Sequence, residues 1–226
     1  NGKMVTFRFF FCGDTEYFFL SSKTSCIIFP VKDLENKATH GKELMKEIFE
    51  AFKEMWSTFS DKTKEEIKTL SKEHTFQAEF NDGKHLIPLG DGEKPRIEFT
   101  VLIKVDNKDP SDSEIVSEVN SKLFYDYLEN IGVPKKYLVK SKTISWKDYP
   151  IIKKQCIYTN IIEKTVPTEG YVALICTKDK KVIASIKIKN ISYILLRMLR
   201  EHLKKPWVSC QSIKDLLRKR LTGKKA

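Results

Sequence analysis

The stretch 169–189, EGYVALICTKDKKVIASIKIK, constrains the fold more than any other part of the chain. Two apolar runs, 171–176 and 182–188, flank the polar segment TKDKK, which is the pattern of a β-hairpin. Strand side chains alternate with period two, so Lys187 and Lys189 share one face while Ile186 and Ile188 share the other. A turn centred on Asp179 sets Glu169 opposite Lys189 and gathers a carboxylate and two lysines at the open end of the hairpin. Surface ion pairs of this kind are common and contribute little, so the pair alone does not define a site.

The rest of the chain supplies further elements. Runs 4–11 (MVTFRFFF) and 17–20 (YFFL), separated by CGDTE, predict a first hairpin. A polar SSKTS loop follows, then a short buried strand over 26–31. Leu44, Ile48, Phe49, Phe52, Met55 and Trp56 recur at three- and four-residue spacing, which predicts an amphipathic helix over 41–59. Ser60 is the expected N-cap of a second helix over 61–73, with Ile67 and Leu70 facing inward. In 75–80 (TFQAEF) the period changes to two: Phe76, Ala78 and Phe80 share one face, Gln77 and Glu79 the other. Strands are expected at 85–89 and 96–105, and a helix capped by Ser113 through Ile131, presenting Ile115, Val119, Leu123, Tyr127 and Leu128. Segment 139–161 has no clear period, with Trp146 and Tyr149 as its expected anchors. Residues 191–203 read as a helix closed by Pro206, and 209–221 as a short amphipathic helix bearing Arg218, Lys219 and Arg220. This order predicts an α+β fold with mainly antiparallel sheet. We expect one domain over 1–205, with 206–226 as a short basic C-terminal helix.

The formal charge of +11 over 226 residues points to a polyanionic partner, most naturally nucleic acid, although a generally lysine-rich composition would give the same number. The five cysteines are scattered, with no metal-ligand spacing and no disulfide framework, which implies a reducing, intracellular compartment. No apolar run reaches membrane-spanning length, so no membrane partner is expected. The P-loop, the kinase-type glycine loop and the dinucleotide-binding fingerprint are all absent.

The polar groups on or beside strands are Glu79, Glu169, Lys187 and Lys189, with Lys23 in the serine-rich loop. Such a set suits a nucleoside triphosphate with a divalent metal, lysines neutralising phosphates and a carboxylate holding the ion. In these residues the chain resembles the covalent nucleotidyltransferases, the superfamily of polynucleotide ligases and mRNA capping enzymes. TEGYVAL (Glu169, Gly170) is similar to their EG[VYF]V strand, IKIKN (Lys187, Lys189) to their final KxK strand, and TFQAEFND (Glu79) to their internal glutamate strand. Within the superfamily it resembles the RNA ligase branch, which includes bacteriophage tRNA-repair ligases and the fungal-type tRNA ligase adenylyltransferase domain. SSKTS with Lys23 and the run KIKNISYILLRMLRE with Tyr193 and Arg197 carry that closer likeness. No segment the size of an OB fold follows the last motif.

The resemblance implies a nucleotidyltransferase (ATP-grasp-like) fold, without an OB fold, that works as a monomer. It implies an ATP-dependent RNA ligase, using Mg2+ or Mn2+ and acting on RNA, including tRNA repair or splicing, through a lysyl-AMP intermediate. Lys187, Lys189, Glu169 and Glu79 would be catalytic, and Glu169 and Glu79 would hold the metal. Asn1, Gly2, Lys23, Phe99, Gly170, Lys187 and Lys189 would bind the nucleotide. For Phe99, base stacking and core packing are equally open, and Lys23 is equally read as a solvated lysine. His40 and His85 are expected to be structural. Asn1-Gly2 align with the end of the Kx[DN]G signature, which sets the acceptor lysine two positions before residue 1. Lys3 follows the glycine and does not replace it. We therefore expect a fragment of a longer chain. The alternatives are a catalytically dead nucleotide- or RNA-binding module lacking that lysine, and an mRNA capping guanylyltransferase.

Overall fold

A computed structural model describes residues 2–35, 42–84, 93–104, 121–163, 169–178, 182–204 and 215. Within these the chain is α+β, with antiparallel sheets and flanking helices. The first sheet has five strands in the order β3-β2-β1-β4-β5: β1 Lys3–Cys12, β2 Thr15–Ser22, β3 Cys26–Pro30, β4 His74–Asn81 and β5 Arg96–Lys104. The alternation of the first hairpin sets its register, with Phe7 opposite Leu20 and Cys12 opposite Thr15 around a two-residue turn. Gly13 holds φ +59° there, a conformation that costs glycine nothing.

One face of this sheet is a phenylalanine layer. Phe7, Phe18, Phe76, Phe80 and Phe99 are completely buried, and α1 (Glu43–Ser57) closes over them. Phe52 of α1 meets Phe18 with ring centroids 4.5 Å apart and Phe7 at 5.1 Å, and Trp56 stacks on Phe9 at 4.9 Å. Each buried aromatic side chain contributes about 1.5–3 kcal/mol of transfer free energy, so this layer is the main stabilising term of the domain. The helix buries the stripe expected from its spacing, except that Met45 is buried and Leu44 only partly so. Helix α2 (Asp61–Ser71) starts at Ser60, whose Oγ accepts the Thr63 backbone N–H at 3.1 Å. Arg8, on the sheet's other face, donates to the backbone oxygens of Ser71 and Lys72 and ties the end of α2 to β1. Helix α3 (Ser121–Asn130) is pinned to β5 by the Tyr125 hydroxyl, which donates to Thr100 O at 2.7 Å; burial pushes its pKa up to about 12.

The second sheet is the focal hairpin itself, β6 (Gly170–Cys176) and β7 (Val182–Lys189), flanked by α4 (Tyr149–Glu163) and α5 (Ile191–Leu203). Asn190 joins these parts. Its side chain accepts the Ser192 N–H at 2.9 Å as the cap of α5 and donates to Cys156 O of α4 at 3.3 Å. It is fully buried, as a residue with both ends of its amide in use can be.

Several expectations need correction. Strand β3 is not buried: it is the sheet edge, with Cys26 and Ile28 exposed and only Phe29 in the core. Tyr127 points outward and donates to Glu66 at 3.1 Å, while Phe124 and Leu128 form the buried face of α3. Trp146 is no core anchor, being 68% exposed and stacked flat on Tyr149, and 149–163, left open by its sequence, is helical. Cysteines set in apolar runs are expected to pack as small hydrophobes, but Cys12, Cys26 and Cys176 are exposed free thiols. The strand expected at 85–89, the start of the helix expected from Ser113, Pro206, His40, His85, Cys210, Arg218, Lys219 and Arg220 lie outside the described residues. The C-terminal helix over 206–226 does too, Asp215 excepted.

Candidate functional site

The hairpin's open end is built by a close approach of two backbones. Gly170 pairs with Lys189, one residue off the expected Glu169–Lys189 register, because a bulge between Ile175 and Cys176 takes up a residue near the turn. At φ +140° Gly170 sits where side chains are strained, and a Cβ there would overlap the Ile188 carbonyl oxygen. The glycine of the EG pair is therefore a steric requirement. Glu169 ends up beside Lys189 all the same: its carboxylate is ion-paired to the Lys189 ammonium, and its carbonyl accepts the Asn190 N–H at 3.1 Å.

Burial pushes the Glu169 carboxyl upward, but the hydrogen bond and charge of Lys189 are among the causes that outweigh it, leaving its pKa below the usual range. The Lys189 ammonium also lies 5.3 Å from the centre of the buried Tyr193 ring, so one cation is held by a carboxylate and an aromatic face. Lys187 is exposed opposite Val172 and has no ion-pair partner among the described residues. Its exposed positive charge lies on the face it shares with Lys189. Beyond them, Lys189, Tyr193, Ile194, Arg197, Met198 and His202 line a cavity of about 300 Å³.

The first sheet carries a second group. Its face opposite the phenylalanines holds a polar row, in which Thr6 Oγ1 meets Ser21 Oγ at 2.6 Å and Glu79 stands between Met4 and Glu98 in register. The Gly2 N–H donates to Glu79 Oε1 at 2.6 Å. A Cβ on Gly2 would overlap the Glu79 side chain and lie 2.7 Å from Phe80 O. Gly2, like Gly170, is thus a glycine required by close contact at a carboxylate. Glu98 next to Glu79, bonded to Arg96 Nε at 2.9 Å, and Asp82 were not singled out from the sequence. Only the strand register sets Glu98 beside Glu79. Asp82 ends the TFQAEFND motif and was legible there.

Asp82 is buried, which pushes its pKa up. Its bonds to the Lys3 ammonium and the Lys84 N–H, the latter at 3.0 Å, overcome this and hold it low. Lys3 is therefore committed to Asp82 and to the Phe80 ring. A carboxyl whose folded pKa lies below its unfolded one contributes stability that is complete above the unfolded value and is lost as pH falls through the folded value. We expect the midpoint of urea unfolding to fall as pH drops below about 4, the unfolded Asp value, and Asp82→Asn to flatten that decline. An unchanged acid limb in the variant would count against the Lys3–Asp82 contact as a stabilising one.

The remaining expected residues divide clearly. Lys23 is exposed at the turn between β2 and β3, where the Ser22 N–H donates to Ser25 O at 2.8 Å, and it has no ion-pair partner among the described residues. Phe99 is completely buried, edge-on to Phe7 and Phe76 at 5.7 Å each, so core packing accounts for it and it offers no ring face for a base. Asn1 lies outside the described residues. The structure thus brings together Glu169, Gly170 and Lys189 with Lys187 on the hairpin, and Gly2 with Glu79 on the first sheet.

Among the described residues no group of three or more His, Cys, Asp or Glu side chains converges on one point, so a metal caged by protein does not fit. A magnesium ion that keeps most of its waters and arrives with phosphate needs only one or two carboxylates, a demand that Glu169 or Glu79 alone could answer. None of the described helices is long and apolar enough to cross a membrane. No protein-family model, curated protein or solved structure matches the chain.

Proposed function

We propose that the chain is the adenylyltransferase domain of an ATP-dependent RNA ligase, one that seals RNA 5′-phosphate and 3′-hydroxyl ends through a lysyl-AMP intermediate. The observation that carries this reading is the open end of the hairpin. There the Glu169–Lys189 pair sits beside a sterically obligatory Gly170, with the exposed Lys187 on the face of Lys189. The contact of Gly2 with Glu79 supports it, since the last glycine of a Kx[DN]G signature and the internal glutamate then belong to one group.

On this reading, which requires an acceptor lysine encoded two positions ahead of Asn1, that lysine would attack the α-phosphorus of ATP and expel pyrophosphate. The adenylyl group passes to the RNA 5′-phosphate, freeing the lysine, and the RNA 3′-hydroxyl then displaces AMP as the phosphodiester forms. The α-phosphate gathers negative charge at each transfer. Lys187 and Lys189 answer that charge from fixed strand positions, so little reorganisation is needed as it develops. Their positive field also lowers the proton affinity of an incoming lysine, which must be neutral to attack. Glu169 keeps Lys189 aimed, and Glu79 holds the start of β1 through Gly2. Magnesium, when bound, neutralises triphosphate charge next to Glu169 or Glu79.

The test is to express the chain together with the residues its gene encodes ahead of Asn1 and incubate it with α-labelled ATP and magnesium. The expected result is one covalent label per chain that survives denaturant and alkali and is lost in hot acid, as a lysine phosphoramidate is, and that is released on adding 5′-phosphorylated RNA. ATP binding without covalent label would replace the ligase with a nucleotide- or RNA-binding module. Label from GTP in preference to ATP would turn the reading to a capping guanylyltransferase.

A further inference from the structure

Trp146 is the most exposed aromatic among the described residues, and unlike a singly scattered apolar side chain it lies stacked on a second ring within a lysine-rich segment. It is held rigidly. Ser145 Oγ donates to Asp148 Oδ2 at 2.8 Å, the Asp148 N–H is 3.1 Å from Ser145 O, and the Tyr149 N–H is 3.3 Å from Trp146 O, forming a tight turn at the start of α4. The turn lays the indole flat on the Tyr149 ring, with centroids 5.1 Å apart and planes 4° from parallel. One helical turn on, the Lys153 ammonium sits 5.9 Å from the centre of the Tyr149 ring. Between residues 139 and 156 there are five lysines, Lys140, Lys142, Lys147, Lys153 and Lys154, all exposed, and a single carboxylate, Asp148, which is taken up by the turn.

We propose that Trp146 and Tyr149 form a stacking platform for the bases of single-stranded RNA, with Lys147 and Lys153 on its phosphates. An open indole face flanked by cations accepts any base, because every base has a π-face, and it needs the base unpaired. A duplex has its bases stacked inside and offers this surface only phosphates. A protein partner would bury the indole but has no need of a near-uniform positive rim. That the strand is RNA and not DNA rests on the ligase reading; the stacking does not.

The test is fluorescence anisotropy of a labelled 12-nucleotide RNA with the chain itself, over a range of salt. Trp146→Ala is expected to weaken binding roughly tenfold, and Trp146→Phe to retain most of it. Lys147→Ala and Lys153→Ala should each lower the slope of log affinity against log salt by about 0.7. Trp146 is exposed, so its variants should melt with the wild type, which circular dichroism checks. Unchanged RNA affinity in Trp146→Ala overturns the proposal, including in favour of a protein partner. Duplex bound as tightly as single strand, or DNA bound more tightly than RNA, overturns it too. Failure of the lysyl-adenylate test leaves this measurement intact, since it involves neither ATP nor the acceptor lysine.

Discussion

Lys187→Ala should slow lysyl-AMP formation by roughly 100- to 1,000-fold while leaving the fold intact. Both halves follow from the position of Lys187 on β7. Its side chain is exposed and unpartnered among the described residues, so truncating it removes no packing and should shift stability by no more than about 0.5 kcal/mol. On the ligase reading its charge is used only when the α-phosphate becomes more negative, and the loss of one such fixed contact raises the barrier by about 3–4 kcal/mol. The check is the rate of covalent, alkali-stable labelling from α-labelled ATP, beside the urea midpoint of the same variant. Wild-type labelling would remove Lys187 from the site. Lys187→Arg keeps the charge but changes its shape and reach, and should recover part of the rate.

Gly170→Ala should open the end of the hairpin. At φ +140° the strain alone costs on the order of 1–3 kcal/mol, and the overlap of the new methyl with the Ile188 carbonyl oxygen adds to it. The strands must separate there, which withdraws Lys189 from Glu169 and frees the Asn190 N–H from the Glu169 carbonyl. The effect is local, because the phenylalanine layer under α1 belongs to the other sheet. The appropriate measurement is hydrogen exchange: the Asn190 amide should lose roughly 100-fold protection, the equivalent of about 3 kcal/mol, while amides of β1 and β4 keep theirs. Equal protection at Asn190 would mean that the backbones do not approach as described.

Comparing these two positions explains why the site was partly legible. Glycine after glutamate ahead of an alternating strand is a local pattern, and so is a pair of lysines two residues apart, so the hairpin, its facing and its charges could be read from residue types alone. The exact register could not. The bulge between Ile175 and Cys176 depends on how the two strands pair, and it moved the partner of Lys189 from Glu169 to Gly170. Glu79 was legible as the polar side of an alternating strand. That its neighbours are Gly2 and Glu98 depends on strand pairing across long stretches of chain.

Aromatic residues mark the boundary most clearly. Phe99 and Trp146 are both large and apolar; by sequence Phe99 was open between core packing and base stacking, and Trp146 was expected to be an anchor. The structure sends Phe99 to the middle of the phenylalanine layer and leaves Trp146 on a lysine-rich turn, which reverses the expectation for Trp146. By itself the sequence determined what short-range physics controls: the α+β class, the phenylalanine strands, the Ser60 cap, the helix over 191–203, and which residue types stand at the hairpin's open end. Alternation, capping and turn chemistry act over a few residues. Tertiary structure alone decided which carboxylates acquire which partners, which glycines are sterically required, and which aromatic faces meet water. Each of those depends on atoms brought together from distant parts of the chain, and no local pattern carries that information.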